Sequence, residues 1–91
     1  MRIKDGIVIR QVEDEYVLVD VGKVKPKFNG MIKLNETSKD IVTLLMENDL
    51  TLDELLNKLL DIYDVDKTTL EKEVNDIIIQ LNDINLLTDM N

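Results

Sequence analysis

The chain has 91 residues, 44% of them hydrophobic and 33% charged, with a net charge of −8. That is one small domain with enough apolar residues for a core; no apolar run nears the ~18 residues of a membrane span, and Met1–Arg10 lacks a signal-peptide apolar region, so a cytoplasmic location with no membrane partner is expected. With no Cys, no His and a single Ser at Ser38, the chain lacks thiolate ligands, the commonest general base and most nucleophiles, and it is expected not to be an enzyme.

The first third reads as strands. Residues 7–12 (IVIRQV) are rich in β-branched side chains. Glu13-Asp14-Glu15 is a polar break of hairpin length. Residues 16–21 (YVLVDV) follow, with Val17, Val19 and Val21 on one face by period two. A polar loop then carries Gly22, Lys23, Lys25, Pro26 and Lys27. Residues 28–34 (FNGMIKL) read as a third strand, with Phe28, Gly30, Ile32 and Leu34 on one face and Asn29, Met31 and Lys33 on the other. Short connections join the three as an antiparallel meander.

The remainder reads as helices. Asn35 is an N-cap candidate for a helix over about 36–47 with Ile41, Val42, Leu44 and Leu45 on its apolar face, and Asn48 is placed in the left-handed position after it. Thr51 and Glu54 form a capping box for a helix over 52–63, whose Leu52, Leu55, Leu56, Leu59, Leu60 and Tyr63 share one face. Asp66 or Thr68, the latter with Glu71 as a second capping box, starts a helix over 67–84 with a stripe of Leu70, Val74, Ile77, Leu81 and Ile84. At ~100° per residue Ile79 falls on the solvent side and Ile78 at the stripe's margin. That pair is either ordinary exposure, one wall of a groove or a dimer contact. Asn85 reads as the helix stop, with Leu86 folding back on the last turn. The fold class is α+β: a winged-helix-like, three-stranded antiparallel β-sheet followed by three α-helices.

Charge divides the chain. Residues 1–39 hold eight basic and six acidic residues, whereas residues 40–91 hold three basic and thirteen acidic. The third helix pairs Lys67 and Lys72 with Asp66, Glu71, Glu73, Asp76 and Asp83, a surface that phosphates repel, so no nucleic-acid partner is expected. An acidic winged-helix regulator and an assembly subunit remain as alternatives.

The chemistry candidates are weak. A calcium loop opened by Asp64 would put Thr69 where Gly is needed and Asn75 where a bidentate Glu is needed, so no metal is expected. Ser38 lies in Thr37-Ser38-Lys39 behind three strands, unlike the modified Ser of an acyl carrier protein. Asn35-Glu36-Thr37 reads as a helix cap rather than a glycosylation acceptor.

A meander has edges with unpaired N–H and C=O groups, to which an extended peptide can add as a strand. If the third strand is such an edge, Lys33 and the Lys23–Lys27 segment favour carboxylates on the guest.

Several linked features resemble the PqqD-like family, the recognition elements of ribosomally synthesised, post-translationally modified peptides. They are Arg10 in the first strand, Tyr16-Val17-Leu18-Val19-Asp20 with Gly22 after it, and Leu34-Asn35. Leu50-Thr51-Leu52-Asp53-Glu54-Leu55, Tyr63-Asp64-Val65-Asp66 and Leu86-Leu87 complete the set. The departures are Glu47-Asn48-Asp49 and Asn85 where the family usually has Gly, and the extra Lys and Pro before Phe28.

The resemblance implies a single peptide-recognition domain over residues 1–91. It implies binding of a precursor's leader peptide and its presentation to a modifying enzyme, often a radical S-adenosylmethionine enzyme, with no cofactor held by the domain. The implied peptide-binding residues are the strand Phe28, Asn29, Gly30, Met31, Ile32, Lys33 and Leu34, and the helix residues Leu70, Glu71, Val74, Asn75, Ile78 and Asn82. Glu73, Ile77 and Gln80 border the helix's other side. Monomer and homodimer are both compatible with the sequence.

Overall fold

A computed structural model describes residues 1–20 and 31–88. In chain order the elements are β1 (Arg2–Ile3), β2 (Ile7–Val12), β3 (Glu15–Asp20), β4 (Met31–Leu34), α1 (Glu36–Glu47), α2 (Leu52–Ile62), α3 (Lys67–Asp83) and β5 (Leu87–Thr88). The architecture is the expected α+β arrangement, an antiparallel sheet in the order β2-β3-β4 followed by three helices. Val21 and Phe28, Asn29 and Gly30, read above as strand residues, lie outside the described residues, as does the lysine-bearing loop between them.

The hairpin is tighter than the polar triplet suggests. Val12 pairs with Glu15, which leaves a two-residue turn, Glu13–Asp14, and starts the strand one residue early. Glu13 has φ 58°, the left-handed value that hairpin turns of this length require at their first central residue and that glycine adopts most readily.

The sheet's inner face carries Ile7, Ile9, Leu18, Ile32 and Leu34, which pack on α1, α2 and α3 through Ile41, Val42, Leu45, Leu55, Leu56, Leu59, Leu70, Val74 and Leu81. Burial of each such side chain is worth about 1.5–3 kcal/mol, which is what holds a domain this small together. Val17 is buried too, but it sits on the outer face, between Arg10 and Lys33 in the cross-strand register.

The helix caps explain the helix limits. Asn35 Oδ1 accepts from the Ser38 N–H at 2.7 Å. Thr51 and Glu54 form the full capping box, at 3.2 and 2.9 Å. Asn48 does not take the left-handed conformation expected of it. It is extended, with φ −141°, and both its N–H and its side-chain amide donate to the Leu44 carbonyl, so a polar side chain does the work of a backbone reversal. Asp66 occupies the N-cap of α3 without a side-chain hydrogen bond, and Thr68 lies inside the helix, so the second capping box does not form.

At the end of α3, Asn85 has φ 64°. Its N–H donates to the Asn82 carbonyl at 3.1 Å and the Leu86 N–H to the Leu81 carbonyl at 3.0 Å. This is a Schellman motif closed by contact of its apolar flanks, and Leu86 is fully buried. The reversal lets β5 pair with β1, Arg2 opposite Thr88 and Ile3 opposite Leu87. Neither two-residue strand was expected, since two residues carry no period; the one hint was a lone Ile3 among polar neighbours, and Ile3 is buried in the core.

Candidate functional site

β4 is the outer strand of its sheet. Among the described residues it pairs with β3 and with no strand on its other side. The register identifies which of its backbone groups are free. Val12 and Glu15 close a two-residue turn and so form a mutually bonded pair; bonded and non-bonded pairs alternate from there. Glu15, Val17 and Val19 therefore turn their N–H and C=O toward β2, and Tyr16 and Leu18 turn theirs toward β4. Leu34 and Ile32, the partners of Tyr16 and Leu18, are occupied. The backbone groups of Met31 and Lys33 point away from the sheet.

Side chains alternate in the same way. Ile32 and Leu34 lie on the inner face and are half-buried. The Lys33 side chain lies on the outer face, exposed, with Nζ 3.4 Å from the Glu15 carboxylate; an exposed pair of that kind holds Lys33 only loosely.

Beside this edge, between β4 and α3, lies a cavity of about 260 Å³. Ile32 and Leu34 form one wall and Ile77, Leu81 and Ile84 the other, with Lys33, Ser38 and Gln80 also bordering it. The volume is below the roughly 300–1,000 Å³ of a small-molecule pocket, and its apolar walls suit one large side chain of a peptide. A second cavity of about 240 Å³ shares Ser38, Ile77 and Gln80 with the first and is otherwise bordered by Asn35, Glu73 and Asp76. The cleft thus runs from an apolar end, at Ile32 and Ile84, to an anionic end, at Asn35, Glu73 and Asp76.

The structure places Ile32, Lys33 and Leu34 on the outer strand beside the cleft, with the Met31 backbone next to them. The helix side differs from the expectation. Leu70 and Val74 are buried core residues; Glu71, Asn75 and Asn82 are exposed and Ile78 is half-buried, and none of these six borders either cavity. Ile77 and Gln80, assigned above to the far border, are the residues that face β4. A helical wheel gives the angle between stripes but not which margin the strand lies against. Leu81, Ile84, Asn35 and Ser38 were not expected to border the cleft; the available signal was that Ile77, Leu81 and Ile84 extend the apolar stripe to the very end of α3.

Outside the lining of both cavities a polar knot ties β3, α1 and the end of α2. The Tyr63 hydroxyl donates to Asp40, Lys39 Nζ donates to Asp40 at 2.6 Å and stands 5.0 Å from the centre of the Tyr16 ring. Burial first, and then the hydrogen bond to Asp40, push the Tyr63 phenol up to about 12. Burial works against the Asp40 carboxylate, but hydrogen bonds from Lys39 and Tyr63 outweigh it and hold Asp40 below its ordinary value. Among the described residues no three His, Cys, Asp or Glu side chains gather as a metal site, and no helix is long and apolar enough to cross a membrane.

The family model described as Coenzyme PQQ synthesis protein D (PqqD) matches residues 15–87. The fold superimposes on that of TbiB1 in complex with the TbiA(beta) leader peptide, with a TM-score of 0.72, 25% identity, and coverage of 100% of this chain and 99% of the other. It also superimposes on lasso peptide synthetase B1 complexed with the leader peptide, with a TM-score of 0.68, 22% identity, and coverage of 97% and 96%. Among curated proteins there is no significant sequence match.

Proposed function

This chain belongs to the PqqD family, and from that premise we propose that it binds the leader segment of a ribosomally made precursor peptide, which adds as a strand to β4 and lays alternate side chains in the cleft against α3. The observation that carries this reading is the coincidence of an edge whose Met31 and Lys33 backbone groups are unpaired among the described residues and an apolar cavity directly beside it. Either feature alone is common; together they provide both halves of strand-addition recognition, backbone pairing for affinity and pockets for specificity. The structural neighbour at 25% identity, itself in complex with a leader peptide, supports the same reading.

In this role the domain is a non-catalytic chaperone. It hands the precursor to a separate modifying enzyme, a radical S-adenosylmethionine enzyme being the leading class.

The test uses the leader halves of short precursors encoded near this gene, made as fluorescent peptides and titrated against the full chain by anisotropy. Saturable binding at micromolar or lower concentration is expected. In Lys33→Pro the outward N–H is removed while the bonds to β3 remain, since Pro is tolerated where its nitrogen faces away from the sheet. Binding is expected to vanish with little change in the melting temperature. A folded Lys33→Pro protein that binds normally overturns strand addition.

A further inference from the structure

Resting on the strand-addition reading, we infer that the cleft reads charge by side: the guest residue opposite Lys33 is acidic, and its two neighbours on the cleft face are apolar toward Ile32 and basic toward Asn35. Only Met31 and Lys33 of β4 offer outward backbone groups, so a guest residue bonds to Lys33 as its direct partner. Directly paired residues share a face. The side chain of that guest residue therefore emerges on the outer face, where Lys33 is paired, among the described residues, with an exposed Glu15.

The residues one before and one after it point the other way, into the cleft. One lies opposite Ile32, where the wall is Ile32, Leu81 and Ile84 and an aliphatic or aromatic side chain removes apolar surface from water. The other lies opposite Leu34, where the two cavities meet at Ser38, Ile77 and Gln80 and the next charged groups are Glu73 and Asp76. Neither carboxylate is in an ion pair among the described residues. A Lys or Arg is long enough to lie along the apolar wall and set its charge at that end, whereas a Glu there meets two like charges that are unpaired among the described residues.

The two faces of one short guest segment are thus sorted by opposite signs. This departs from the simple expectation, drawn from the lysines alone, that the guest is acidic throughout. A guest acidic at every position gains at Lys33 and loses in the cleft.

The test is a displayed library of random 12-residue peptides selected on the full chain, on Lys33→Glu and on the double variant Glu73→Lys/Asp76→Lys. All three positions are exposed, and thermal melts verify folding. The expected enriched pattern is an apolar, an acidic and a basic residue in consecutive positions, in one chain direction or the other. Lys33→Glu is expected to exchange the acidic position for a basic one, and the double variant to exchange the basic position for an acidic one. Individual peptides from the selection should lose at least fivefold in affinity when the basic residue is replaced by Glu, and the double variant should restore it. Enrichment of extended apolar peptides with no charge preference, or a preference unmoved in both variants, overturns this inference and leaves strand addition standing. No enrichment on the parent chain overturns strand addition and this inference with it.

Discussion

Two flanks of this domain use the same aliphatic residues for different purposes. Where α1 and α2 meet, Ile41, Val42, Leu45, Leu55 and Leu59 are all 0% exposed, both helix starts are capped by side chains, and Leu50 exchanges backbone hydrogen bonds with Met1. Where α3 faces β4, Ile32, Leu34, Ile77 and Ile84 are half-buried around a cavity, and the strand beside them keeps backbone groups that are unpaired among the described residues. The first flank has realised its hydrophobic stabilisation within the chain. The second holds part of it in reserve for a partner, and the domain's stability rests on the first.

The sharpest way to break that comparison is to truncate one residue on each side. Leu59→Ala should cost about 2–5 kcal/mol in urea unfolding, since it empties a fully packed position. Ile84→Ala should cost only about 1 kcal/mol, because Ile84 is only partly buried at the cavity wall, and should weaken leader-peptide binding by about tenfold, or 1.4 kcal/mol. Equal stability losses at the two positions would remove the distinction.

Tyr63→Phe should cost about 1–2 kcal/mol by deleting a hydrogen bond to the half-buried Asp40, with peptide affinity unchanged because no side chain of the knot borders either cavity. The same group sets a pH limit. Its folded-state value of about 12 lies above the ordinary phenol value of 10.0, so its contribution is complete below 10.0 and is lost as the pH rises toward 12, which phenolate absorbance during alkaline unfolding should follow. Glu54 has the opposite sign. Its backbone hydrogen bond with Thr51, then the Thr51 side chain, lower its value below 4.5; the capping box is fully formed above that pH and is lost as the solution is acidified through the lower folded value. A loss of α2 helicity, by far-ultraviolet circular dichroism, should be weaker in Glu54→Gln.

The smallest effect is expected at the hairpin. A left-handed φ costs an ordinary residue about 1–2 kcal/mol and glycine gives back roughly 0.5–1 kcal/mol in unfolded-state entropy, so Glu13→Gly should raise stability by about 0.5–1 kcal/mol with binding unaltered.

The sequence made one of these flanks far easier to read than the other. The run from Thr51 to Tyr63 carries its period, its capping box and its helix limits within a dozen residues, because all three are local. Asn85 and Leu86 were legible for the same reason. The cleft is not local: Ile77 and Ile84 belong to the same apolar stripe as Leu70 and Val74, and nothing in a stripe distinguishes a residue that packs from one that lines a cavity. That depends on where β4 lies, a relation across more than forty residues of chain. Asn48 erred differently, because an Asn can end a helix by its side chain or by its backbone, and the choice was set by the extended path from α1 to Leu50.

The pairing of Arg2 with Thr88 places two points 86 residues apart in the chain within the span of one antiparallel pair, about 5 Å. A polypeptide whose near-terminal residues sit shoulder to shoulder can be spliced into a surface loop of a host protein without prying that loop open. It also invites a circularly permuted version, in which a short bridge joins Thr88 to Arg2 and the chain is opened elsewhere.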